Sequence, residues 1–303
     1  MTGSPSKLSS TDPLAIVVVS LVGGEALERT LRSIAPIDAP CVVVAASTLR
    51  LDPSVGSTRA RVVRADVPVP LKRAVGLALT DSDWVAFLED TCDLDGGWPA
   101  AFEDIARRAD FDGVGGPVAI ASDLPPRCMA LACLEYAAFS PRRRLFSEGA
   151  SPAAALTGQL AGLNLLYRRS AILPLVGDTG LIETEVNRLI RQRGGKLGVH
   201  PDLAVTYREA DHASATLGSR YAHGRIYGGG QRDHTRRAWR PVALLKCLAL
   251  PMVLYARAVK GIPPGHAAPL RTRLWIFGLA LAWSAGEFTG YLSGRGASLA
   301  RWR

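Results

Sequence analysis

Short apolar runs of strand length, alternating with helical patterns, constrain this chain more than any other feature. Leu14-Ala-Ile-Val-Val-Val-Ser20 is continuous and β-branched, and it precedes Gly23-Gly24 and the helical spacing Leu27, Leu31, Ile34. Cys41-Val-Val-Val-Ala45 is a second such run, and Arg61-Val-Val-Arg64 a shorter third. A helical pattern over Leu71 to Leu79 then leads to Trp84-Val-Ala-Phe-Leu88. Strands alternating with helices predict an α/β fold with a mostly parallel, doubly wound sheet, covered by helices on both faces. The last run ends in Glu89-Asp90-Thr91-Cys92-Asp93. Open α/β sheets bind ligands at the carboxyl ends of their strands, and paired carboxylates there suit a hard divalent cation facing phosphates. A solvated acidic turn after a strand has the same composition.

The chain has 303 residues, of which 48% are hydrophobic and 21% charged, values of a globular rather than a disordered chain. Its formal net charge of +9 favours anionic partners: nucleotide, nucleic acid or acidic lipid. The basic residues are not interleaved with an aromatic stacking surface, which argues against nucleic acid. Five cysteines, at positions 41, 92, 128, 133 and 247, are odd in number and include no Cys-x-x-Cys. Neither a disulfide framework nor a structural zinc site is indicated, and a reducing, cytoplasmic environment fits.

Residues 1–13 are rich in Ser, Thr and Pro and have no apolar core of a secretory signal; a disordered tail is expected. Beyond the acids come a helical pattern from Trp98 to Ala109 and the glycine-interrupted strand Phe111-Asp-Gly-Val-Gly-Gly-Pro117-Val-Ala-Ile120. An apolar helix around Met129 to Phe139 precedes the basic run Arg142-Arg143-Arg144. A short strand follows at Asn164 to Arg168, then a helix from Glu183 to Arg193 stopped by Gly194-Gly195. The main domain is expected over 14–240.

Several landmarks stand in a telling order: Val17-Val-Val-Ser20, Leu71-Lys-Arg-Ala-Val-Gly76, Phe87-Leu-Glu89-Asp90-Thr91-Cys92 with Trp98 downstream, and Gly115-Gly-Pro117. Glu135-Tyr136 with Pro141, Gly162-x-Asn164 before Tyr167-Arg168-Arg169, and Glu183-Thr-Glu185-Val-Asn-Arg188 complete the set. Over roughly residues 14 to 230 the chain thereby resembles the family 2 glycosyltransferases of the GT-A fold, which are Rossmann-like.

The resemblance implies an inverting transfer of sugar from a nucleotide-sugar donor. It puts Glu89 and Asp90 on the acidic motif that holds Mg²⁺ or Mn²⁺ on the donor diphosphate. Thr91 stands where that motif has its last acid, a departure that Asp93 could offset. Glu183 falls on the base that deprotonates the acceptor hydroxyl, with Glu185 as the alternative and a helix-terminal acid as the structural explanation of both. Ser20, Ser47, Lys72 and Arg73 fall around the nucleotide. The second strand ends in Val44-Ala45-Ala46-Ser47 where the family has a base-binding aspartate, which leaves that task to Ser47, Asp66 or backbone groups. Arg220, His223, Arg225, Tyr227 and Gly228-Gly-Gly230 match a basic, mobile segment that closes over diphosphate and acceptor, with Arg225 as a phosphate contact.

Two further apolar stretches, Pro241 to Val259 and Leu274 to Leu292, each approach the ~20 residues that span a bilayer. The first contains Lys246, Pro251 and Arg257, the second Glu287, so each would be a marginal span. An interfacial hairpin held by Arg236, Arg237, Arg240, Arg271, Arg273, Arg295, Arg301 and Arg303, or a helical pair packed on the main domain, fits the same residues. The expectation is a membrane-associated hydrophobic helical hairpin over 241–303, with the catalytic domain cytoplasmic and a lipid-linked or other membrane-proximal glycan as acceptor. Ala45-Ala46 and Thr91 favour a different class of function, a degenerate member that serves as scaffold or partner of an active transferase.

Overall fold

The computed structural model describes residues 12–50, 60–108, 110–143, 157–208, 216–263, 266 and 269–302. Residues 1–11 of the expected tail, Ala109, Arg144 and Arg303 lie outside them. The chain divides into two compact units, one of residues 1–119 with 141–207, the other of residues 120–140 with 208–303.

The β-branched runs form the first unit's sheet. Strands β1 (Leu14–Ser20), β2 (Cys41–Ala45) and β4 (Trp84–Glu89) are buried at every residue, as parallel strands covered on both faces must be. β3 (Ala60–Arg64) is half-buried because it forms one edge. The seven-stranded order is β3-β2-β1-β4-β8-β6-β9, with β6 (Gly113–Gly115), β8 (Asn164–Arg168) and β9 (Leu197–Val199). Only β8 runs against the rest, pairing antiparallel with both β4 and β6. A second sheet, β5-β10-β7, joins β5 (Cys92–Leu94), β7 (Val118–Ile120) and β10 (Val205–Tyr207).

Helices α1 (Gly24–Ile34), α2 (Val69–Ala78), α3 (Trp98–Arg108), α5 (Arg169–Ile172) and α6 (Glu183–Gln192) belong to this unit, with α4 in the other. Two glycines fix the approach of α2 and α6. A Cβ on Gly76 would lie 2.2 Å from Val17 Cγ1, so α2 rests directly on β1. Gly180, at φ +75°, lets Leu181 donate its N–H to Pro70 O at 2.9 Å, which sets the start of α6 beside the start of α2.

The second unit is helical: α4 (Pro126–Tyr136), α7 (Leu217–His234), α8 (Arg240–Gly261) and α9 (Leu270–Ser293). α4 is buried from Cys128 to Leu134 without a break and packs on α8 and α9. An all-round apolar helix needs cover on every side. The two C-terminal helices are therefore not an appendage that begins at 241, as expected above; with α4 and α7 they build one core.

Residues 220 to 230 also differ from expectation. They form the middle of α7, capped at its start by Thr216 Oγ1, which accepts the Ser219 N–H at 3.1 Å. Gly224 and Gly228 lie one helical turn apart on the face toward α9, and a Cβ there would lie 2.1 Å from Trp283 O and 2.2 Å from Glu287 O. Gly286 and Gly290 of α9 meet Tyr221 O and Arg225 O in the same way, at 2.0 and 2.5 Å. These glycines serve close backbone packing of two helices rather than the pliability of a lid.

Candidate active site

β1 and β4 lie side by side, with Val19 opposite Glu89, so Ser20 and Asp90 emerge together at their carboxyl ends. The chain leaving β1 turns into α1 with its N–H groups pointing inward, and buried donors need an acceptor. Asp90 supplies it. Its Oδ2 accepts Ser20 Oγ–H at 2.7 Å, Gly23 N–H at 2.8 Å and Val22 N–H at 3.1 Å, while Oδ1 accepts Leu21 N–H at 2.8 Å. The residue is fully buried. A carboxylate in a cradle of backbone amides at a helix start is well matched in charge and geometry. Asp90 thus holds the β1–α1 turn instead of facing a cation, a role written in backbone groups that a side-chain pattern does not display.

Arg73 of α2 is the centre of the site. It is 1% exposed, and it spans two carboxylates remote in sequence: Nη2 donates to Glu89 Oε1 at 3.0 Å, and Nη1 to Glu183 Oε2 at 2.8 Å. Nη2 also donates to Gly162 O at 2.9 Å. Burying a guanidinium is costly unless it is paired. Burial alone would lower the Arg73 pKa, but the charges of Glu183 and Glu89 outweigh it and the net shift is upward. Glu183 opens α6, and its side chain is 16% exposed. Its Oε1 takes no hydrogen bond from the described residues, so one oxygen is anchored and the other is available.

Behind the triad, Tyr167 Oη donates to Asn187 Oδ1 at 2.6 Å and ties α6 to β8. Burial, then the charge of Glu183, raises the Tyr167 pKa, which keeps the phenol a donor. Asn164 accepts Trp98 Nε1–H at 3.5 Å and donates to Leu203 O at 2.7 Å, so the Gly162-x-Asn164 motif fixes the turn into β8. Lys72 is buried, with Nζ 3.4 Å from Ser20 O.

The remaining sequence candidates sit elsewhere. Ser47 is exposed at the end of β2, and its N–H donates to Asp66 Oδ1 at 2.8 Å, while Arg64 Nη1 donates to Ala46 O and Leu49 O. Asp66 thus lies at the end of β2, beside Ser47. Asp93 pairs with Arg29 at 2.9 Å on β5. Glu185 is half-buried in the first turn of α6. Arg225 belongs to the helical unit, where Nε donates to Gly294 O at 3.0 Å. His223 and Tyr227 pack there on Trp302 and Trp283.

A divalent cation on Glu89, Asp90 and Asp93 does not fit this arrangement. Asp90 is saturated by the β1–α1 turn, Glu89 is held by Arg73, and Asp93 by Arg29. Among the described residues no three His, Cys, Asp or Glu side chains converge. Thr91, at the third position of the motif, is fully buried, and its Oγ1 has no partner among the described residues. Sequence reasoning placed Arg73 near a nucleotide. It missed that this residue joins Glu89 to Glu183, and only the Gly76 and Gly180 contacts gave a reason for that.

No family model matches the sequence, and no curated protein matches it. Solved structures do. A mannosyltransferase from Pyrobaculum calidifontis, described in complex with GDP-Man and Mn²⁺, aligns with a TM-score of 0.54 at 14% identity, over 96% of this chain and 90% of that one. S. aureus TarS, residues 1–349, aligns at a TM-score of 0.48 and 12% identity, over 93% of this chain and 92% of that one. At such identities the first likeness speaks for the fold, and the chain has the mixed α/β, mostly parallel architecture of the GT-A glycosyltransferases.

Proposed function

We propose that this protein transfers a sugar, with inversion, from a nucleotide-sugar donor to an acceptor hydroxyl, and that Glu183 is its general base. The observation that carries the reading is the bridge of Arg73 to Glu89 and Glu183: three elements deliver charged groups to one place, at the carboxyl ends of β1 and β4. Arg73 anchors Glu183 Oε2 and leaves Oε1 to take the acceptor proton. As it does so, the acceptor oxygen forms a bond to the anomeric carbon. The bond from that carbon to the diphosphate oxygen breaks, and the nucleoside diphosphate leaves with the electron pair. A positioned base contributes about 10²–10⁴-fold. Reading of the nucleobase is assigned to the groups around Ser47 and Asp66, and the hydrogen bond between them supports that assignment.

The Pyrobaculum protein is described with GDP-Man and Mn²⁺. A divalent cation of that kind supplies positive charge to a departing diphosphate. In this chain it has no seat on the three acids, and no step is assigned to it. The acceptor is proposed to be lipid-linked or membrane-proximal, with the sheet unit on the cytoplasmic side. Five buried cysteines without a disulfide and the apolar stretch Arg237–Gly261 support that placement.

A second reading has its own observation. The acids of the motif are committed to structural pairs and Thr91 carries no charge, as in a chain that keeps the fold and serves as partner of an active transferase. Turnover of UDP- and GDP-sugars, with membranes as acceptor source, separates the two. Glu183→Gln is expected to bind donor as the natural protein does and to lose about 10²–10⁴-fold in turnover. Equal turnover of the two proteins would remove Glu183 from the chemistry, and no turnover by either would favour the partner reading.

A further inference from the structure

We propose that the helical unit docks on one face of an anionic bilayer, with α8 and α9 lying in its interface rather than crossing it. This deepens the membrane part of the preceding reading and rests on it, but not on the chemistry assigned to Glu183. Among the described residues, every exposed large hydrophobic side chain except Leu173 and Leu217 lies between Trp239 and Leu292. On α8 they include Leu245, Leu248 and Met252, with Leu248 71% exposed; on α9 they are Leu270, Leu274, Phe277, Leu281 and Leu292. The spacing of three and four residues puts each set in one stripe along its helix. The rings of Tyr255 and Phe277, 6.2 Å apart, join the two helices at the edge of these stripes. Exposed apolar side chains gathered on two helices that pack together mark an interaction site.

Charge selects the occupant. Between Asp233 and Glu287 the chain carries eight Lys and Arg and no Asp or Glu. Arg236, Arg237, Lys246, Lys260, Arg271 and Arg273 are exposed along this stretch. An apolar stripe in a wholly basic surround matches acidic headgroups over acyl chains. It is a poor match to itself, because a second copy would bring like charges together. Trp239, also exposed, is a side chain that favours the membrane interface.

The other faces decide between lying and crossing. α8 turns Cys247, Pro251, Leu254 and Ala258 inward, on the side that packs with α4 and α9. α9 turns Gly286 and Gly290 onto the backbone of α7, a helix that carries Arg225, Arg232 and Asp233. α8 exposes Lys246 and Arg257 within its length, and α9 could not cross a bilayer without drawing the charges of α7 into hydrocarbon. One-sided insertion exposes to lipid only what is already exposed.

The test uses the full chain and phosphatidylcholine vesicles with and without phosphatidylglycerol. Flotation with the anionic vesicles is expected, with binding about tenfold or more weaker on neutral vesicles or in high salt. The double variant Leu248→Glu, Leu281→Glu should unfold at the same temperature as the natural protein, since both side chains are exposed, and should no longer float. Arg237→Cys, in the turn just before α8, and Lys260→Cys, at its end, should both react with an impermeant thiol reagent outside intact vesicles, against a background of buried native cysteines. Labelling at only one end would mean that α8 crosses, and would overturn the proposal. So would unchanged flotation of the double variant, or absence of vesicle binding together with a dimer that the same variant dissociates. Glu183→Gln should float normally, so that retained turnover in that variant counts against the base alone and loss of flotation in the double variant bears on this surface alone.

Discussion

The sheet unit and the helical unit both bury matched charge, Arg220 pairing with Glu135 in the helical one, but they use glycine in opposite ways. In the sheet unit, charge is buried and matched: Asp90 by the β1–α1 turn, Arg73 by two glutamates. Its glycines, Gly76 and Gly180, bring side chains into a site. In the helical unit, glycine removes side chains so that α7 and α9 touch through their backbones, and apolar side chains face outward. An acid at a strand end or a glycine in a basic segment therefore has no fixed meaning. What each one does depends on the donors or backbones within reach.

Four substitutions can break or sharpen that contrast. The largest effect is expected for Asp90→Ala, which strands Ser20 Oγ and the N–H groups of Leu21, Val22 and Gly23 without their acceptor. Loss of about 3–5 kcal/mol in denaturant unfolding is expected, as for a broken buried charge interaction. A variant that folds as well as the natural protein but binds Mn²⁺ less would return Asp90 to the role of ligand. A smaller loss, about 1–3 kcal/mol, is expected for Gly228→Leu, whose side chain has no room against Glu287 O. Gly218→Ala, on the same helix with nothing within 4 Å, should leave the thermal midpoint unchanged or raised. If both behave alike, the close helix contact is wrong. The smallest effect belongs to Thr91→Val, which removes a buried hydroxyl without a partner among the described residues and should be neutral or stabilising by about 1 kcal/mol at most. Reduced nucleotide binding in that variant would instead give the hydroxyl a ligand.

The legible and illegible parts of the chain divide along the same line. β1, β2 and β4 could be read because continuous β-branched runs have few other uses, and the start of α6 could be read from its acids and its terminal glycines. The reversed direction of β8 could not, since pairing direction leaves no mark on a five-residue apolar strand. Glu183, Glu89 and Arg73 were each placed near the site, yet their joining depends on Gly76 and Gly180, whose contacts lie far away in sequence. Asp90 was misplaced because its partners are backbone amides. Residues 220 to 230 were misjudged because glycine serves flexibility and close packing with the same letter; α4 was legible as an apolar helix, but such a helix does not say what covers it.

The central claim is that Arg73, Glu89 and Glu183 form the heart of a nucleotide-sugar site. Calorimetric titration of UDP and GDP into the natural protein and Glu183→Gln, each with and without Mn²⁺, tests it most directly. The account predicts saturable binding of at least one nucleotide, equal in the two proteins because the base does not hold the donor. Absence of binding by either nucleotide in every condition, from protein that is folded by circular dichroism, would contradict it.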